Sequence, residues 1–389
     1  MPRAGPRRTT DTEHPTLLFM SWRRTLNDLA DALDAQVDRA RDALVNARPV
    51  GPPRVVPYRD FGTPQALGVR GRVLRDLPLP AAGREDAAWR NLLATLRRFD
   101  SREVAGARVR VSHGGAVRVL TTDDEGYFET TLALAAPVTA DLTWHEVHVE
   151  LLPDSAADSG HAARAPVLVP SRHAVFGIVS DVDDTVVRTD ATQFLRMMRT
   201  VFLGNARTRL PFPGVAAFYR ALQRGPHGDE INPLFYVSSG PWNLYELLVE
   251  FFELQKIPRG PLLLRDWGIG STRELPTHHV THKGEAIRRI LATYPTLPFI
   301  LVGDSGQDDP EIYAAVIREF PGRIHVAYIR DVNPDEQRRG AIRALAEELA
   351  AEGGALVVAE DTLAAARHAA AAGWLDPQAL GEVAGEAKR

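Results

Sequence analysis

The chain has 389 residues, 44% hydrophobic and 25% charged, with 46 basic against 50 acidic residues and a net charge of −4. That length predicts two or three domains, each able to bury its own core, and excludes a single small module; the charge excludes a broadly basic nucleic-acid coat. The absence of cysteine excludes a disulfide framework, a thiolate zinc site and a cysteine nucleophile, so any metal must be held by oxygen or nitrogen.

Residues 1–15 (MPRAGPRRTTDTEHP) carry charge and no apolar core of signal-peptide length, so a frayed N-terminus and a cytoplasmic location are expected. No apolar run approaches the roughly 20 residues of a spanning helix, which predicts no transmembrane segment and leaves room for peripheral membrane contact. From Trp22 the positions Leu26, Leu29, Leu33, Val37, Ala40 and Leu44 recur at steps of three and four. That is the stripe of an amphipathic helix, and Pro49 with the GPP at 51–53 ends it. Its polar face mixes Asp with Arg, which favours packing on a neighbouring domain over membrane or partner binding.

Residues 67–152 change character: LGVRGRVL, ARVRVS, AVRVLTT, GYFETTLAL and WHEVHVELL are short runs rich in Val, Thr and aromatics, separated by turn material such as HGG and DDEG. They predict an antiparallel β-sandwich over 54–170, interrupted by a partly helical excursion at 76–101. PDSAADSGHAARAP at 153–166 reads as a linker or long loop. No catalytic cluster lies here, so a scaffold or recognition role is expected of this accessory domain.

From 171 to 389 the pattern becomes β-α-β. Buried-strand runs at 174–180, 233–238, 261–265, 298–303, 324–329 and 355–359 alternate with helical patterns at 213–223, 241–255, 283–293, 310–319, 335–351 and 361–373. Alternation of this kind predicts a Rossmann-like three-layer parallel sheet, with ligands beyond the carboxyl ends of its strands.

The chemistry gathers at those ends. The first strand runs into Asp181-Val182-Asp183-Asp184-Thr185, where alternation sets Asp181 and Asp183 side by side, an arrangement that calls for a cation. The fourth ends in Gly303-Asp304-Ser305-Gly306-Gln307-Asp308-Asp309, again all oxygen, which favours Mg²⁺. The second ends in Ser238-Ser239-Gly240-Pro241, with Pro241 suited to a first helical turn and the hydroxyl beside free amides suited to phosphate. His282-Lys283 at the expected start of a helix supplies a cation, and Lys283 is one of only three lysines in the chain. His278, His279 and His282 lack the further ligands of a zinc site and suit hydrogen bonding on the substrate side. Trp242 suits either the pocket edge or helix packing.

In that order these motifs resemble the haloacid-dehalogenase superfamily of aspartate-nucleophile phosphohydrolases over residues 174–373. The stretches FGIVSDVDDTVVRT, LFYVSSGPWNLYELL, THHVTHKGEAI and FILVGDSGQDDPEIYAAV are similar to the catalytic domain of actin-patch-type phosphatidate phosphatases and their bacterial relatives. The TTDDEGYFE hairpin resembles that of transthyretin-like sandwich modules. The resemblance implies Asp181 as nucleophile and Asp183 as the acid that protonates the leaving oxygen and then activates water. It implies Mg²⁺ held by Asp181, the carbonyl of Asp183, and Asp304, with Asp308 or Asp309 completing the site and family spacing pointing to Asp309. Thr185 would steady the loop, Ser238 (or Ser239) with Gly240 would bind phosphate, and Lys283 would neutralise phosphoryl charge and orient Asp181. The implied function is Mg²⁺-dependent hydrolysis of phosphatidate or a similar phospholipid through an aspartyl-phosphate. The alternatives are a soluble, protein or nucleic-acid-end phosphomonoester as substrate, or a non-catalytic scaffold with a vestigial phosphatase fold.

Overall fold

The computed structural model describes residues 52–75, 102–153, 160–182, 213–265, 278–333 and 335–388. The expected N-terminal stretch and helix, the 76–101 excursion and residues 183–212 lie outside the described residues.

Among the described residues the N-terminal unit holds nine strands: β1 (Arg54–Pro57), β2 (Asp60–Thr63), β3 (Ala66–Arg75), β4 (Arg102–Glu103), β5 (Arg108–His113), β6 (Ala116–Thr121), β7 (Tyr127–Ala133), β8 (Trp144–Leu151) and β9 (Ala162–Leu168). In β7 and β8 buried and exposed residues alternate, the pattern of a sheet with one dry face. One layer gathers β1, β2, β4 and β7 around β3, and the other runs β9-β8-β5-β6. Strand β2 joins them, antiparallel to β3 and parallel to β9. Between the layers lies an aliphatic core that includes Leu67, Val69, Val109, Val111, Val147 and Val149. Strand β9 corrects the linker reading of 153–166. Ala162-Ala163-Arg164-Ala165 looks like loop by composition, yet β8 pairs with it along its length.

The C-terminal unit follows as β10 (Gly177–Asp181), α1 (Val215–Arg224), β11 (Leu234–Pro241), α2 (Tyr245–Leu254), β12 (Leu262–Arg265), α3 (His278–Thr293), β13 (Phe299–Asp304), α4 (Asp309–Glu319), β14 (Ile324–Arg330), α5 (Glu336–Ala351), β15 (Leu356–Ala359), α6 (Thr362–Ala371) and α7 (Leu380–Ala387). Its six strands form a parallel sheet in the order β12-β11-β10-β13-β14-β15. Residues of α1, α2, α6 and α7 share one apolar layer, and residues of α3, α4 and α5 the other. The strands are therefore covered on both faces, which is why they read as unbroken apolar runs. The chain order reverses between β10 and β13, opening a crevice at their carboxyl ends. Helix α7 has no counterpart in the sequence reading, because Gly381 and Gly385 weaken its helical signal. Tertiary contacts hold it: Val383 is fully buried, and Glu386 accepts from the Ala217 amide at 3.0 Å. Gly214, at φ 82°, lets that approach happen, since a Cβ there would meet the Val383 carbonyl at 3.0 Å.

The two units meet along residues 54–63. Tyr58 stacks on Trp242 with ring centroids 4.4 Å apart and tilts against Tyr245, while Phe61 reaches Phe235 and Tyr294 in the opposite apolar layer. The Arg59 amide donates to the Tyr245 hydroxyl at 2.6 Å, and the Tyr294 hydroxyl donates to the Gly62 carbonyl at 3.0 Å. Trp242 is thus a packing residue of this seam.

Candidate active site

Adjacent parallel strands deliver the acidic residues. Asp181 ends β10 and Asp304 ends β13, the two strands that flank the reversal of chain order. Asp309 opens α4 and is completely buried, whereas Asp308 is exposed. Carboxylate oxygens of Asp181, Asp304 and Asp309 all lie within 4.8 Å of one another.

Lys283 stands among them. Its Nζ lies 2.7 Å from Asp181 Oδ1 and 2.9 Å from Asp309 Oδ1, and it donates to Gln307 Oε1 at 3.3 Å. The side chains of Lys283 and Asp181 are each only 3% exposed, so these are buried ion pairs held in low dielectric. Helix α3 begins at His278, which corrects the helix-start placement of Lys283. It sits in the second turn, because nothing in His278–His282 interrupts the helix upstream.

Backbone amides fix the carboxylates. The Gly306 amide donates to Asp304 Oδ1 at 2.7 Å, and the Asp304 amide donates to Asp309 Oδ2 at 3.3 Å. Gly303 makes room for this, since a Cβ there would meet Asp309 Oδ2 at 2.5 Å. Ser305 Oγ accepts from the amides of Val332 and Asn333, pinning the loop after β13 to the end of β14.

Two buried tyrosines brace the strands from opposite layers. The Tyr219 hydroxyl lies 2.6 Å from Ser180 Oγ, which donates to the Asp181 carbonyl at 2.9 Å; the Tyr313 hydroxyl donates to the Val302 carbonyl at 3.0 Å. Burial pushes Tyr219 up to about 12, with Asp181 and Asp304 adding to the rise against the Ser180 hydrogen bond and Arg330. Burial and the charges of Asp309 and Asp181 raise Tyr313 well above the ordinary phenol value. Neither Ser180, Tyr219 nor Gln307 stood out in the sequence. Only Gln307, inside the acidic motif, carried a signal that could have marked it.

Ser238 is fully buried and follows Val237, the register partner of Asp181, so it stands at the same mouth. The expected helix N-terminus there is corrected. β11 continues through Pro241, shifting register against β12 between Val237 and Pro241, and α2 starts only at Tyr245 after a 3-10 turn. Pairing with Arg265 prolongs the strand. Ser238, Ser239 and Gly240 therefore occupy an irregular strand end, where the Gly240 amide donates to Ser238 Oγ at 3.0 Å. Asp183 and Thr185 lie outside the described residues, as do the side chains of His278 and His279; His282 is half-buried.

Three oxygen donors, oriented by amides and offset by one ammonium, fit a hard divalent cation of the magnesium class. Among the described residues no histidine joins the cluster.

A parallel sheet with an acidic cluster at its chain reversal sets a ligand-binding crevice there, and the comparisons bear on the same segment. Residues 176–331 match the family described as phosphatidate phosphatase APP1, catalytic domain. Phosphatidate phosphatase APP1 of Saccharomyces cerevisiae is 32% identical over 175 residues, covering 44% of this chain and 29% of its own. An uncharacterized protein of Schizosaccharomyces pombe is 26% identical over 250 residues, covering 63% of this chain and 38% of its own. The chain thus spans well under half the length of these relatives. Among solved structures, a carbohydrate acetylesterase from Xanthomonas citri aligns over 75% of this chain and 73% of its own at 12% identity, with a TM-score of 0.25. That likeness is too slight to define a shared fold. The seam residues Tyr58 and Phe61, the aliphatic core of the sandwich and helix α7 all lie outside residues 176–331, the segment matched by the family.

Proposed function

We propose that this chain is a Mg²⁺-dependent phosphomonoester hydrolase of the haloacid-dehalogenase type, acting on phosphatidate or a similar phospholipid through an aspartyl-phosphate. The catalytic unit would be 171–389 in a Rossmann-like arrangement, with the 54–170 sandwich as accessory domain. The observation that carries this reading is Lys283 held between Asp181 and Asp309, with Asp304 beside them, inside the segment matched by a phosphatase catalytic domain.

An Asp181 carboxylate oxygen attacks phosphorus as the bond to the leaving alcohol breaks, and Asp183, assigned by resemblance, donates the proton to the departing oxygen. Water then attacks phosphorus while Asp183 takes back a proton, and the acyl-phosphate bond breaks to free Asp181 and inorganic phosphate. Lys283 keeps Asp181 ionised and aimed, since an ammonium at 2.7 Å favours the charged carboxylate. Asp181, Asp304 and Asp309 would hold the cation, which when bound screens the phosphoryl charge. No helix among the described residues is long and apolar enough to cross a membrane, so a lipid substrate would be met at the surface of a bilayer.

The test is phosphate release from phosphatidate vesicles, soluble sugar phosphates and 5′-phosphorylated oligonucleotides in parallel, with Mg²⁺ and with chelator. Chelator-sensitive release that is fastest from the vesicles is the expected result. A preference for a soluble ester would remove the lipid assignment, and no metal-dependent release from any ester would remove the hydrolase.

A further inference from the structure

Ser180, one residue before Asp181 on β10, has a single hydroxyl proton, and it goes to the Asp181 carbonyl at 2.9 Å. The Tyr219 hydroxyl, 2.6 Å from Ser180 Oγ, is therefore the donor of the second bond. The two bonds form a chain that runs from helix α1 through Ser180 to the backbone of Asp181, and each polarises the next. The other end of the same peptide is held as well, since the Val182 amide donates to the Val237 carbonyl of β11 at 3.1 Å. Asp181 is thus gripped from two sides. Lys283 lies 2.7 Å from its carboxylate, and the peptide that follows it is fixed at both carbonyl and amide. The chain of hydroxyls also has a firm base: Glu386 of helix α7 accepts from the Ala217 amide at 3.0 Å and pairs with Arg220 at 2.5 Å, on either side of Tyr219. Ser180 and Tyr219 are both buried, which shields their bonds from bulk water.

We propose that Tyr219 is a positioning residue for Asp181: its hydroxyl sets the rotamer of Ser180, which fixes the tilt of the Asp181–Val182 peptide and with it the direction in which the carboxylate faces a phosphoryl group. The proposal rests on the phosphohydrolase reading and adds what aims the nucleophile from the backbone side. Attack on phosphorus needs the carboxylate oxygen in line with the bond that breaks, and a displacement on the order of 1 Å can cost about 10²-fold in rate. Both hydroxyls lie beneath the strand end and act through Asp181, so their loss falls on kcat and spares KM.

The experiment measures aryl-phosphate hydrolysis in Mg²⁺, together with Tm, for the full-length chain as wild type, Tyr219→Phe, Ser180→Ala, the double variant and Tyr294→Phe. Each single substitution removes one oxygen. Tyr294→Phe is the control, because it too loses a buried hydroxyl bonded to a carbonyl, that of Gly62 at the seam. In Tyr219→Phe kcat is expected to fall roughly 10-fold, and in Ser180→Ala roughly 10- to 100-fold, with KM changed by less than about threefold and the control near wild type. The double variant should be no slower than Ser180→Ala alone, since Tyr219 acts only through Ser180. Effects that multiply in the double variant would overturn the proposal. So would an equal fall of kcat in Tyr294→Phe at equal loss of Tm, which would make the effect one of general stability. An active wild type with both single variants within about twofold of its kcat would remove the proposal alone. A wild type without metal-dependent turnover would remove the hydrolase reading and the proposal with it.

Discussion

The sandwich and the parallel-sheet unit handle charge in opposite ways. The sandwich keeps part of it on an outer face, where Arg110–Glu150 and Arg164–Glu146 pair across strands in contact with water, and covers single charges such as Asp60 and Arg72 elsewhere. Between its layers lies an aliphatic cluster. The parallel unit has no solvent face on its sheet, so its charge is pushed to the strand ends, where Lys283, Asp304 and Asp309 are buried together. Three carboxylates around one ammonium do not stabilise a fold efficiently, because each ion has been stripped of water. Such an arrangement is retained for what it binds. Exposed pairs such as those on the sandwich stabilise little, whereas the buried cluster at the crevice is the charge for which a chemical task is proposed.

Point substitutions and alkaline pH probe that contrast. Lys283→Ala leaves buried carboxylates without their cation and should lower stability by about 3–5 kcal/mol in chelator while abolishing turnover. Lys283→Arg should lose nearly as much turnover with a smaller loss of stability, because a longer planar fork cannot occupy the point between two oxygens at 2.7 and 2.9 Å. Urea titration beside aryl-phosphate turnover reads both, and a Lys283→Ala protein of wild-type stability would mean the pair is not buried in solution.

Tyr58→Ala removes a ring packed between Trp242 and Tyr245 and should cost about 3–5 kcal/mol. Calorimetry should show one transition in wild type. Two separate transitions there would show that the seam does not couple the units.

Alkaline pH should act on the parallel unit and spare the sandwich core, which contains no tyrosine. Tyr219 and Tyr245 are each raised to about 12 by burial, so the folded state holds protons that the unfolded chain, titrating near 10, gives up. Their contribution is complete below pH 10 and is lost as pH rises toward 12. Near-ultraviolet absorbance followed with Tm across that window should show the loss, and Tyr219→Phe should reduce it by that one tyrosine's share. A fall beginning well below pH 10 would point to other groups.

Arg110→Ala on the sandwich face should change stability by less than about 1 kcal/mol, since both partners are substantially exposed. A loss comparable to that of Lys283→Ala would erase the distinction between the two regions.

What the sequence made legible follows the same division. Alternation revealed β7 and β8, and unbroken apolar runs revealed β10 to β15, because those patterns report which faces are dry. Strand β2 escaped, since Asp60-Phe61-Gly62-Thr63 has turn chemistry and owes its extended form to β3 and to β9, a hundred residues away. At the crevice, the acidic motifs were visible as local strings. Asp308 and Asp309 could not be separated by composition, for only the start of α4 turns one to solvent and the other onto Lys283. The bonds of Tyr219, Gln307 and Arg330 depend on which strands become neighbours, and pattern alone does not specify that.

The seam at residues 54–63 also separates ancestry from autonomy. The segment matched by the described family spans residues 176–331, yet Trp242, Tyr245, Phe235 and Tyr294 within it complete their packing on Tyr58 and Phe61, more than a hundred residues upstream. Transplanting the shared segment alone would uncover a strip of aromatic surface on both helical layers, and the recipient would inherit a catalytic motif with a sticky flank. The segment matched by the family is therefore shorter than what must travel together as a folding body.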